Sequence, residues 1–126
     1  MDASCANTHD VEAQIINTPN YPSNYGHNKQ CTWKILAPQG ETLQLDSFSY
    51  SMEDCKSCRC DGLDIHDGPN IGSTRIQQLC GNGSAGRIQS TGNVLFLRFY
   101  SDASFQFGGF QIHYSLIGAS LYKLQR

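Results

Sequence analysis

The segment EDCKSCRCDGLDIHDG, residues 53–68, holds three of the six cysteines and five of the eleven carboxylates of the 126-residue chain. Two chemistries compete for such a segment. Clustered thiolates at Cys55, Cys58, Cys60 and Cys80 would hold a soft metal such as zinc. If the thiols are instead locked in disulfides, the carboxylates Glu53, Asp54, Asp61, Asp64 and Asp67 are left for a hard, oxygen-seeking cation such as calcium. Zinc sites favour paired CxxC knuckles and reducing compartments. An even number of cysteines in a chain rich in Gly, Ser and Asn indicates an oxidised, secreted or extracellular protein with three bridges.

Other chemistries find little to work with. The serine in NGSAG, Ser84, lacks the first glycine of a GxSxG nucleophile elbow. His9, His27, His66 and His113 fall at polar or outward positions with no Ser or Cys partner set by spacing, so catalytic residues are expected to be absent. A formal net charge of -2, with only 16% charged residues, creates no basic field for nucleic acid. No apolar run approaches the ~20 residues that span a bilayer, so membrane insertion is not expected. The opening MDASCANTHD has no basic-then-apolar secretion signal, and a secreted reading requires that Met1 open an expressed or mature fragment. Asn82-Gly83-Ser84 is the only N-glycosylation sequon, placed on a glycine-rich and therefore exposed loop.

The elements that must position these residues are strands. Val11 to Ile16 forms a short strand, then Pro19, Pro22 and Gly26 impose a loop. In CTWKILAPQG, Cys31, Trp33 and Ile35 share one face and Thr32, Lys34 and Leu36 the other, before Pro38 and Gly40 force a turn. ETLQLDSFSY continues the period of two with Leu43 and Leu45 inward. GLDIHDG alternates Leu63 and Ile65 inward with Asp64 and His66 outward, ending in a turn at Asp67-Gly68-Pro69. STRIQQLCGNGSAGRIQS gives a short strand, a glycine-rich loop and another short strand. NVLFLRFYSD, apolar on both faces, suits a strand between two layers, and GFQIHYSLI closes the pattern with Phe110, Ile112 and Tyr114 inward. Eight to ten short strands and no helix define an all-β chain: a two-layer antiparallel β-sandwich whose site lies among loops at one end.

With these elements in order, the sequence resembles a CUB domain, the module of complement proteases, tolloid-like proteases, cubilin and spermadhesins. The resemblance rests on Cys5, NTPNYPSNY at 17–25, CTWKILAPQG with Cys31, the stretch ending CDGLDIHDG, LCG at 79–81 and FYSDASFQFGGFQIHY at 99–114. It implies a jelly-roll-like CUB fold over residues 5–117, with residues 1–4 an N-terminal extension and 118–126 a tail or linker. It implies bridges Cys5–Cys31 and Cys58–Cys80. Cys55 and Cys60 are left over; Cys60 stands where the family commonly has an aromatic, and the paired gain suggests a third, local bridge. The resemblance further implies that Glu53, Asp61 and Asp102 bind Ca2+, completed by the backbone carbonyls of Ser104 and Phe105. Tyr25 matches the tyrosine whose hydroxyl braces the calcium-binding glutamate, with Gly26 here in place of the family's proline. The function so implied is a calcium-binding recognition module, part of a larger protein, that meets a Lys- or Arg-presenting protein ligand through its acidic end. A stand-alone, spermadhesin-like carbohydrate-binding protein is the alternative, with a glycan as ligand.

Overall fold

The computed structural model describes residues 8–9 and 14–118. Outside that range lie the expected N-terminal segment 1–4, the Cys5 half of the Cys5–Cys31 bridge, the start of the Val11–Ile16 strand and the tail beyond Gly118. The described residues form eleven strands: β1 (Thr8–His9), β2 (Ile15–Asn17), β3 (Gln30–Leu36), β4 (Glu41–Leu45), β5 (Phe48–Ser51), β6 (Gly62–Asp67), β7 (Thr74–Leu79), β8 (Asn82–Ala85), β9 (Ile88–Gln89), β10 (Val94–Tyr100) and β11 (Gly109–Gly118). The one helical element among them is a single 3-10 turn at Lys56–Cys58, inside the cysteine loop.

One sheet has the order β1-β3-β10-β6-β7, antiparallel except for the parallel β1–β3 pair. The other is built on β11, which pairs with β2, β4 and β5, while β8 and β9 lie outside β5 and β4. β4 and β5 follow one another along β11: Tyr114 faces Leu45 and Phe110 faces Tyr50, five steps on one strand for four on the other. The extra residue shifts the register by one between the two pairings, as a bulge does.

The period of two decides what is inside. Trp33, Leu97, Phe99, Leu43, Leu45, Phe110 and Ile112 are all buried, drawn from both sheets. The aromatic rings of Trp33, Phe48 and Phe99 pack around Phe110 at centroid distances of 6.2, 6.3 and 5.8 Å, tilted or edge-on as ring quadrupoles prefer. This cluster joins the two layers.

Two expectations fail instructively. Asp64 and His66, expected to face solvent, are 5% and 6% exposed. β6 is an interior strand, and register sets Arg98 opposite Asp64 and Phe96 opposite His66, so long neighbouring side chains roof over both. Arg98 holds Asp64 at 3.2 Å, Arg75 approaches it at 3.7 Å, and His66 Nδ1 lies 2.9 Å from the Ser73 carbonyl. The second is NGSA, expected as loop, which is strand β8 paired with β5. Its small side chains carry no alternation, but β5 offers a free ladder of backbone groups, and ladder formation needs only an extended backbone.

Candidate metal centre

Three strand ends converge at one end of the sandwich. Glu53 follows β5, Asp61 precedes β6 and Asp102 follows β10, so residues far apart in sequence meet in space. One carboxylate oxygen from each lies within 4.8 Å of the others. Asp61 is fully buried, and Glu53 and Asp102 are partly so.

Each acid is held by backbone. The Glu53 N–H donates to the Tyr25 hydroxyl at 3.2 Å, and its carbonyl accepts from Gly81 N–H at 3.3 Å. Met52 N–H donates to the Gly81 carbonyl at 2.8 Å, so the β5–β8 ladder runs on past its last paired residues and delivers Glu53 in a fixed position. Asp61 accepts the Tyr25 hydroxyl on one oxygen and the Asp102 N–H, at 3.0 Å, on the other. Asp102 in turn accepts the Ser104 N–H at 3.0 Å, a local turn that curls the following loop around it. Phe105, next in that loop, is 70% exposed.

The segment carrying Tyr25 is zipped to the loop after β10. Tyr25 N–H donates to Phe107, Asn28 N–H to the Asp102 carbonyl at 2.9 Å, and Ser101 Oγ bridges the Gly26 carbonyl at 2.8 Å and the Lys29 N–H at 2.9 Å. Ser101 and Asn28 carry no signal in the sequence, because a serine or asparagine beside a strand end looks like any other. Gly26 adopts φ +104°, a conformation closed to the proline that the family pattern would place there. The glycine follows from the path of the loop.

The expected brace from Tyr25 to the Glu53 carboxylate is replaced by another: the hydroxyl donates to Asp61 and accepts the Glu53 backbone N–H. Burial, reinforced by the Asp61 carboxylate, holds the phenol protonated, far above its ordinary range. It is therefore a committed donor. Removing it in Tyr25→Phe leaves a buried carboxylate short of one hydrogen bond, at a cost of about 1–3 kcal/mol. Denaturant unfolding in chelator checks this, and an unchanged midpoint would contradict it.

The cysteines take no part as metal ligands. Cys55–Cys60 and Cys58–Cys80 are disulfides, with Cα separations of 5.7 and 5.5 Å, and no cysteine among the described residues is free. Cys31 is disulfide-bonded as well. The zinc reading falls with this, since a disulfide sulfur is not a thiolate ligand. The two bridges pin a loop in which Ser57 and Cys58 both have positive φ, a costly pair of conformations for non-glycine residues. Tyr100 donates to the Cys58 carbonyl at 2.6 Å and lies across Gly62, where any Cβ would strike its ring. The loop between Glu53 and Asp61 is thus fixed at both ends and in the middle.

Electrostatically the cluster is unfinished. Burial, and then the neighbouring Asp102, raises the Glu53 carboxyl above its usual range; burial likewise raises Asp61, against the pull of the Tyr25 and Asp102 donors. Glu53 Oε1 is buried with no hydrogen-bond partner. An oxygen-only donor set, crowded and with an orphaned buried oxygen, fits a hard divalent cation of the calcium type.

Without metal these shifts have a definite consequence for pH. Each raised carboxyl binds its proton more tightly folded than unfolded, so metal-free stability falls as pH rises from the unfolded value near 4 through the raised folded values. The penalty is absent below that window and complete above it. Melting in EDTA should therefore improve as pH is lowered from neutrality toward the ordinary carboxyl range near ~4, and a melting temperature that only falls on that path would contradict the site's electrostatics.

A two-layer antiparallel sandwich with a rigid, oxygen-lined acidic loop end defines a class of disulfide-bonded binding modules, and comparison places the chain within it. The family model for the CUB domain matches residues 5–114, and the chain belongs to that family. Human tolloid-like protein 1 is 36% identical over 90% of this chain, which spans 11% of that protein. The full extracellular region of zebrafish Gpr126/Adgrg6 superposes with TM-score 0.76 at 27% identity, covering 94% of this chain and 15% of that one. The crystal structure of the MASP-1 CUB2 domain bound to Ca2+ gives TM-score 0.69 at 26% identity over 80% of this chain and 89% of that chain.

Proposed function

We propose that this chain is an extracellular, non-catalytic recognition module whose acidic loop end holds one Ca2+ through Glu53, Asp61 and Asp102. The observation that carries the proposal is the convergence of the three carboxylates within 4.8 Å, with Glu53 Oε1 buried and unpaired. The solved CUB2 domain of MASP-1 is a calcium-bound relative. Calcium takes six to eight oxygens, so carbonyls of Ser104 and Phe105 and water complete the shell. The Asp102–Ser104 turn supports this assignment by bringing that loop back toward the site.

Three carboxylates against one divalent ion leave about one net negative charge at the loop end. A Lys or Arg of a protein partner pairs with a carboxylate already immobilised by metal and by Tyr25, so little side-chain freedom is lost on this side. Extracellular placement is supported by the disulfides and by the extracellular region of Gpr126/Adgrg6 among the relatives. The matched segment is a small share of tolloid-like protein 1, as befits a module, and that relationship lends no support to the stand-alone carbohydrate-binding alternative.

Panels of Lys- and Arg-bearing peptides and of glycans, each probed with calcium and with EDTA, test the reading. Peptide binding that needs both calcium and the basic side chain is expected. Glycan retention indifferent to EDTA, with no peptide binding, would overturn it.

A further inference from the structure

The sequon at Asn82 acquires a setting in the fold. Asn82 opens β8 and is exposed, as are Gly83 and Ser84, so all three sequon residues are accessible. Register aligns Asn82, Ser51 and Gly109 in one row across β8, β5 and β11. Ser51 Oγ donates to Asn82 Oδ1 at 2.7 Å, which orients the amide and leaves Nδ2 without a partner in that bond. Beside Ser51 lies an open groove of about 280 Å3 lined by Tyr21, Pro22, Ser49, Tyr50, Ser51 and the Gly108–Gly109 pair. Gly109, at φ +81° and with no space for a Cβ beside the Thr18 side chain, is confined to glycine. Tyr21 is 39% exposed and presents an aromatic wall, the kind of surface against which the C–H face of a sugar packs. β8 is also an edge strand without charge or proline to deter a second chain.

We propose that Asn82 carries an N-linked glycan whose first sugar seats in the groove between Ser51 and Tyr21. The covalent step uses a lipid-pyrophosphate-linked oligosaccharide, the donor of the secretory pathway. Asn82 Nδ2 forms a bond to C1 of the terminal sugar, the C1–oxygen bond to the pyrophosphate breaks, and one Nδ2 proton leaves to base as the lipid pyrophosphate departs. This modification is independent of the calcium reading.

The test is secretion of the chain from animal cells, followed by intact mass before and after peptide N-glycosidase, and melting of the wild type, Ser84→Ala, Tyr21→Ala and the double variant. Ser84→Ala abolishes the sequon but leaves the Ser51–Asn82 hydrogen bond, so it isolates the glycan. The expected result is a glycan on Asn82 that raises the melting temperature by a few degrees, with less than half of that gain surviving in the Tyr21→Ala background. An unmodified Asn82 overturns the site. A modified Asn82 with equal gains in both backgrounds, or with none, overturns the seating in the groove.

Discussion

Phe110→Ala is expected to remove about 3–5 kcal/mol of stability, a large part of the roughly 5–15 kcal/mol that holds a domain of this size together. Phe110 is fully buried and its ring touches aromatic neighbours from both sheets, so truncation opens a cavity that rigid strands cannot close. Its backbone bonds survive the change: the Phe110 N–H donates to Thr18 Oγ1 and its carbonyl accepts from the Thr18 N–H, both at 3.1 Å. The loss therefore reports packing alone. Phe105→Ala is the matched control, since a ring 70% exposed contributes within about 0.5 kcal/mol. Equilibrium denaturant curves of the two variants should separate by several kcal/mol, and similar midpoints would contradict a core centred on Phe110.

Asp102→Ala is expected to separate metal binding from folding. The contacts that fix this position to the fold are backbone ones: its N–H donates to Asp61 and its carbonyl accepts from Asn28, and both remain in alanine. The side chain contributes the bond to Ser104 N–H and its interactions with the neighbouring Glu53 and Asp61 carboxyls. That charge helps push up Glu53, so deleting it relieves the metal-free site. In chelator the variant should melt at or above the wild-type temperature. Its calcium affinity should fall at least ~100-fold, the upper end of what altering an outer-shell partner costs. A variant that unfolds in chelator, or that keeps wild-type affinity, would contradict this division of roles.

Much of the sandwich is legible in the sequence because burial imposes a period of two. Trp33, Leu43, Leu45, Leu97, Phe110 and Ile112 all point where alternation places them. The pattern fails where burial has another cause. Asp64 and His66 are covered by long side chains of adjacent strands, and cross-strand register cannot be read from one strand's own sequence. β8 is illegible in the sequence because Gly83, Ser84 and Ala85 have no contrast between faces. At the site, Glu53, Asp61 and Asp102 were recognisable through resemblance to the CUB pattern, and the structure brings the three together. The brace was half legible: Tyr25 is in place, but only the geometry shows that its proton goes to Asp61. The zipper of Ser101, Gly26 and Asn28 left no signal, since its bonds are largely to backbone.

The most direct measurement is calcium titration of the metal-free wild type by calorimetry, paired with melting curves in calcium and in EDTA. The account predicts one equivalent bound per chain. At a free concentration of ~100 Kd the metal adds about 2.7 kcal/mol, a rise on the order of 10 °C for a domain of this length. An absence of binding heat together with superimposable melting curves would show that Glu53, Asp61 and Asp102 converge without holding calcium, and the central claim would be wrong.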